Sequence, residues 1–221
     1  EPVVSSFGYL PADTTFLQGI REITNELGII LIFDEVQSFR LGPGGAQEVF
    51  GVIPDMSTLG KIIGGGMPVG AFGGREDIMS LLDSTSQGSL VHAGTFNANP
   101  MTMVAGEVAM SKLTPDTYER MNNLGEDLRS KLSAIFDEFE VPAKITGVGS
   151  LFGIHFTDEN IRDYRTVIRA NGSMNQFLFM GLLNEDVLLQ SKTAGALNSL
   201  TTESHVDAIV DATRTVIQRT R

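Results

Sequence analysis

Two blocks of this 221-residue chain hold side chains able to do chemistry together. Ile29-Ile30-Leu31-Ile32-Phe33 runs apolar without alternation and ends on Asp34-Glu35-Val36-Gln37, which puts a carboxylate at the exit of a strand covered on both faces. Leu59-Gly60-Lys61-Ile62-Ile63, followed by Gly64-Gly65-Gly66, puts an amine on a glycine-flanked turn. A lysine amine is protonated and inert in neutral water and becomes a nucleophile once partly desolvated or set near another cation. A carboxylate beside a heterocyclic nitrogen favours the protonated ring, which then draws electrons. The pair suits imine chemistry on a pyridine aldehyde, with Lys61 as the amine and Asp34 at the ring nitrogen.

Plainer readings stand beside these. Taken alone, Asp34 and Glu35 better suit helix capping or water binding at a strand end, and a flexible surface loop is the other reading of Lys61, against its apolar and glycine neighbours. A nucleotide-hydrolysing site is excluded on its partner motif: a phosphate loop needs Gly six residues before the Lys and Ser or Thr after it, where this chain has Asp55 and Ile62. If the ring is pyridoxal 5'-phosphate, Val36 offers a small apolar face to it and Gln37 a donor to its phenolate oxygen. The glycines after Lys61 let backbone approach a flat ring closely. Thr95 follows Ala93-Gly94 and precedes a helix opening at Asn99-Pro100, so its hydroxyl and nearby N–H groups suit a phosphate; an ordinary turn threonine is the other reading.

The elements that must hold these residues follow from spacing. Asp13 is placed as the N-cap of a helix with Phe16, Ile20, Ile23 and Leu27 on one stripe, stopped by Gly28. Strands are expected at Met56–Leu59 and Val69–Phe72, around the lysine turn. Asn99-Pro100 opens a helix to about Lys112 with Val104 and Val108 inward, and Thr114-Pro115 opens a long one through Met121, Leu124, Leu128, Leu132, Ile135 and Phe139. Beyond Val141-Pro142 the pattern predicts strand at Gly149–Phe156, helix at Met174–Leu183, strand at Val187–Gln190 and a terminal helix at Thr202–Ile217 with Val206, Ile209, Thr213 and Val216 inward. This gives an α/β layer through residue 140 or so and a small α+β unit over 141–221. Gly42-Pro43-Gly44-Gly45 reads as a loop.

Composition narrows the class. With 42% apolar residues the chain can build a core, and 16 Lys plus Arg against 27 Asp plus Glu give a net charge of -11, unsuited to nucleic acid. There is no cysteine, and His92, His155 and His205 lack ligand spacing, so no metal site is expected. No apolar run is long enough for a membrane span, and the cytoplasm is the expected compartment. Glu1-Pro2-Val3-Val4 reads like the exit of a strand already under way.

Several blocks together resemble class III pyridoxal-phosphate aminotransferases, the group of glutamate-1-semialdehyde aminomutase and β-amino-acid transaminases. They are Glu1-Pro2-Val3, Phe33-Asp34-Glu35-Val36-Gln37, Leu59 through Arg75, and His92-Ala93-Gly94-Thr95-Phe96-Asn97-Ala98-Asn99-Pro100, with a weaker block at Thr146-Gly147-Val148-Gly149-Ser150. The resemblance implies a fold type I α/β transferase, of which this chain is the C-terminal half: part of the large domain plus the small domain. It implies a homodimer in which Lys61 holds the cofactor aldehyde as an imine and moves the substrate proton, Asp34 contacts the pyridine nitrogen, and Thr95 reaches the phosphate in the neighbouring subunit. The substrates would be an amino acid or amine and a keto acid.

Departures refine this. Ser6 stands where the family often has Asn near the phenolate. Ser38-Phe39-Arg40 is one residue shorter than the usual Thr-Gly-Phe-Arg, as in the β-amino-acid branch. Aminomutases carry a Phe-Glu-Ala-Gly-Phe-like segment where this chain has Lys192-Thr193-Ala194-Gly195-Ala196, which disfavours aminomutase activity. Lys192 falls near an arginine that holds substrate carboxylates in β-amino-acid transaminases, though a lysine cannot form the planar two-bond clamp and simple solvent exposure is its other reading. A fold-only binding or assembly module is the alternative outside enzymes.

Overall fold

The computed structural model describes residues 1–219. In chain order its elements are β1 (Val3–Val4), β2 (Leu10–Pro11), α1 (Thr14–Glu26), β3 (Ile32–Asp34), α2 (Gly45–Phe50), β4 (Met56–Gly60), β5 (Gly70–Gly74), α3 (Glu76–Met79), α4 (Pro100–Ser111), α5 (Pro115–Glu138), β6 (Lys144–Thr146), β7 (Leu151–His155), α6 (Tyr164–Val167), α7 (Gly172–Asn184), β8 (Ala194–Ala196) and α8 (Glu203–Gln218). They form two units, one of residues 1–2 and 12–115, the other of 3–11 and 116 onward. The division is not near 140 as the sequence suggested. The buried stripe of α5, with Leu124, Leu128, Leu132 and Phe136, is core of the second unit. No helix among the described residues is long and apolar enough to cross a membrane.

In the first unit Asp13 caps α1, accepting the Thr15 N–H at 2.8 Å, and Gly28 takes φ +64 just past its end. The inward face of α1 is not the expected stripe. Leu17 and Thr24 are buried, while Phe16, Ile23 and Leu27 are exposed. Leu17 meets Phe33 of β3 and Val52 in a small core. β3 runs parallel to β4, and β4 antiparallel to β5. The expected doubly covered strand is corrected too: Phe33 is buried, but Ile29, Ile30 and Ile32 are each at least 50% exposed. The edge of β3 away from β4 carries no strand among the described residues, so this apolar run is half covered.

Asp55, just before β4, ties the sheet together. Its Oδ2 accepts the Leu31 N–H at 2.7 Å and Arg21 at 3.0 Å, and its Oδ1 accepts Arg75 at 2.9 Å. The hydrogen bonds from Arg75 and the Leu31 N–H, helped by Arg21, hold its carboxyl well below the usual carboxylate range.

The second unit stacks α5, α7 and α8 on the antiparallel sheet β6-β7-β8, with Phe136 edge-on to Phe156 at 5.5 Å. The strand expected at Val187–Gln190 is absent. Thr193 N–H donates to Gln190 O and Gln190 N–H to Ala194 O, so the backbone there closes a turn and β8 becomes the edge strand. The β1–β2 hairpin seats its Ser5–Gly8 loop on this sheet, where Thr146 Oγ1 donates to Gly8 O at 2.5 Å. His155 Nε2 lies 2.9 Å from the same hydroxyl, whose proton is already given to Gly8, so the imidazole donates from Nε2. Burial pushes the His155 imidazole down to about 4.

Acid should therefore weaken the fold in two steps. The unfolded His155 takes a proton below its ordinary 6.5, whereas the folded ring stays neutral to about 4, so stability falls as pH drops through that window. Asp55 adds a second loss below its ordinary 3.8, as protonation breaks its pairs. Urea unfolding at stepped pH should lose the first slope in His155→Gln and the second in Asp55→Asn.

Candidate active site

The register of two neighbouring strands sets the site. Asp34 pairs with Thr58 across the parallel β3–β4 ladder, and Lys61 comes three residues beyond Thr58 at the same C-terminal end. At strand spacings their Cα atoms lie within about 11 Å of each other. Strict alternation along β4 would send position 61 to the face opposite Thr58. Lys61 instead takes φ +48, a left-handed backbone that breaks the alternation, and opens the tight helical turn Lys61–Gly64. A lysine there is strained, which marks a position held by its surroundings.

Asp34 is exposed, and its Oδ1 accepts the Val36 N–H at 3.0 Å; its Oδ2 has no donor among the described residues. Val36 joins the two blocks, since a Cβ built on Gly60 would meet Val36 Cγ1 at 3.3 Å. Gln37 is half-buried at the start of the turn Ser38–Leu41. Asp34, Val36 and Lys61 are thus brought to one end of one sheet. Thr95 lies in an exposed turn, and no hydrogen bond among the described residues links it to that pair. His92, three residues before it, stands edge-on to Phe72 of β5 at 5.2 Å.

The glycines after Lys61 serve a purpose the sequence did not suggest. A Cβ on Gly65 would collide with Ala105 O, and one on Gly106 with Ile63 O, so α4 packs backbone to backbone against the lysine turn. This explains why Thr102 and Gly106 face inward while Val104 and Val108, expected inside, are 61% and 51% exposed. Only small residues fit at that distance.

In the second unit Ser6 and Lys192 come together: Lys192 Nζ donates to Ser6 O at 3.1 Å and lies 5.7 Å from the Phe7 ring centroid. Both side chains are exposed. Thr193 is fully buried, its hydroxyl bonded to Lys192 O at 2.7 Å and receiving Asn175 Nδ2 at 2.5 Å.

The family profile described as Aminotransferase class-III matches residues 1–203. The chain belongs to that family. Among curated class III relatives, it is 40% identical over 213 residues to a β-phenylalanine transaminase of Variovorax paradoxus, covering 96% of this chain and 49% of the relative. It is 42% identical over 190 residues to a glutamate-1-semialdehyde 2,1-aminomutase of Macrococcus caseolyticus (strain JCSC5402), covering 86% of this chain and 44% of that protein. A solved transaminase with PLP bound superposes with a TM-score of 0.89 at 31% identity, over 99% of this chain and 51% of the other. The chain spans about half the length of the class III relatives it matches, and its α/β fold is theirs.

The packing of α4 on the lysine turn is testable by urea unfolding. Gly106→Ala should cost about 2 kcal/mol or more through overpacking against Ile63. Gly73→Ala, where a Cβ meets nothing, should change stability by less than about 0.5 kcal/mol.

Proposed function

We propose that this chain carries the lysine-bearing part of a pyridoxal-phosphate-dependent aminotransferase, moving an amino group between an amino acid or amine and a keto acid. The observation that carries the reading is the register that puts Asp34 and Lys61 at one end of adjacent strands. The residues fit the cofactor. Asp34 keeps one carboxylate oxygen without a donor, suited to a protonated ring nitrogen, and Val36 lies against Gly60, beside the lysine, as an apolar wall.

When bound, pyridoxal phosphate supplies an aldehyde for amine exchange and a ring that accepts an electron pair. Lys61 would contribute the primary amine and would move a proton at the substrate carbon as general base and acid. Asp34 would keep the ring nitrogen protonated, Gln37 would donate to the phenolate oxygen, and Ser6 is a candidate for a further contact to that oxygen. Thr95, exposed on its turn, reaches the phosphate of a second subunit in a homodimer. Lys192 is the candidate for the substrate carboxylate.

Transfer is favoured over the aminomutase reaction, because Thr193 is buried with its hydroxyl engaged and offers no acid there. β-Amino acids are the donors to try first, given the Ser38-Phe39-Arg40 segment and the Variovorax relative.

The test is borohydride trapping of pyridoxal phosphate, on the chain alone and on the chain joined to a polypeptide covering the relatives' other half. Mass spectrometry should find the label on Lys61 and none in Lys61→Ala. Asp34→Asn should still be labelled, while amino transfer by the joined protein slows on the order of a hundredfold. Label retained in Lys61→Ala would refute the assignment.

A further inference from the structure

Asp34 and Glu35 are adjacent carboxylates with opposite fates. Asp34 is exposed, whereas Glu35 is fully buried. Successive side chains at a strand end point to opposite faces, so whatever fixes Glu35 also fixes the direction of Asp34. The ladder continues through this residue, since Glu35 N–H donates to Thr58 O at 2.9 Å.

Glu35 is held by donors from two segments. Its Oε2 accepts the Ala46 N–H at 2.6 Å and the Ser38 hydroxyl at 3.2 Å, and its Oε1 accepts the Gln47 N–H and Gln47 Nε2, each at 3.3 Å. All are neutral. A buried carboxylate is costly unless such donors surround it, so removing the charge or blocking its seat frees the segment. The seat is built for it. Gly45 has φ +67, and a Cβ there would lie 2.5 Å from Glu35 Oε2 and 2.9 Å from Phe39. Gly45 is thus the glycine of the 42–45 patch that makes the seat of Glu35, while Gly42 and Gly44 adjoin Glu48.

We propose that Glu35 is a positioning residue that, anchored in the Gly45–Gln47 socket behind the strand, holds the Asp34–Val36 turn and so aims the Asp34 carboxylate; this rests on the reading of Asp34 as the ring-nitrogen partner. Glu35 touches neither cofactor nor substrate and acts through Asp34.

Amide hydrogen exchange on the chain itself tests the mechanical part. Glu35→Gln, and Gly45→Ala which evicts the carboxylate without changing its charge, should each speed exchange at Ala46, Gln47 and Val36 by about tenfold, leaving Leu128 in the other unit unchanged. Acceleration at Ala46 and Gln47 alone would overturn the proposal, because Glu35 would then anchor the loop without governing Asp34. Uniform acceleration that includes Leu128 would reduce it to general stability and overturn it as well.

Pyridoxal phosphate affinity of the joined protein supplies the second arm. Glu35→Gln should weaken binding about tenfold when Asp34 is present and not further in an Asp34→Asn background. Equal weakening in both backgrounds would sink the inference. If Asp34→Asn alone left affinity unchanged, the Asp34 reading would fail while the exchange result still decided the role of Glu35.

Discussion

The pairing of Asp34 with Thr58 across the parallel β3–β4 ladder is the constraint on which the site depends. A slip of one residue would turn every side chain of β3 to the other face, burying Asp34 and exposing Glu35. Two carboxylates guard against it from opposite ends. At the entry, Asp55 Oδ2 takes the Leu31 N–H and Asp55 N–H returns a bond to Leu31 O, both at Cα neighbours of the first ladder pair. At the exit, Glu35 sits in its glycine socket. Between these pins only three residue pairs remain, so the strand has little freedom to shift.

The lysine turn is fixed in another way. A left-handed lysine is unfavourable in isolation and needs surroundings that prefer it. These are Gly60, which gives Val36 and the Val69 backbone room to close on the strand end, Gly64, which makes room for the Val69 side chain, and Gly65 and Gly106, which let α4 press on the turn from behind. Backbone contacts hold tighter tolerances than side-chain ones, since neither partner can change rotamer. The glycine run is therefore scaffold for the lysine, and its openness toward a ligand is a lesser matter.

What was legible in the sequence was local. The Asp13 and Asn99 caps, the Gly28 stop, the long stripe of α5 and the short turn at Lys61 each depend on residues within a turn or two, and each is found. What was not legible depends on the opposing surface. Periodicity cannot tell that α4 faces a glycine turn and must turn Thr102 and Gly106 toward it, or that α1 buries Leu17 ahead of Phe16. Local sequence likewise gives two equivalent acids at 34 and 35. Only the return of the chain at 45–47, bringing N–H donors to one of them, separates the anchored carboxylate from the free one. Ser6 and Lys192, far apart in sequence, meet for a similar reason: the hairpin loop and the 190–194 turn both close on the same sheet.

The exposed state of Asp34 and Lys61 has a physical meaning of its own. Side chains exposed at the end of a sheet are surrounded by water, which screens charge from charge. A fully hydrated amine is a poor nucleophile, and a fully hydrated acid is a weak partner for a ring. The chemistry proposed for them would thus require that water be removed from the end of the sheet. On one side this chain supplies apolar side chains, with Val36 at Gly60 and the half-buried Ile62 and Ile63 after Lys61. An aromatic heterocycle laid against them would exclude water between acid and amine by its own bulk. The lower dielectric it would create would strengthen both contacts, so on the proposed function binding of the ring and activation of the pair would be one event.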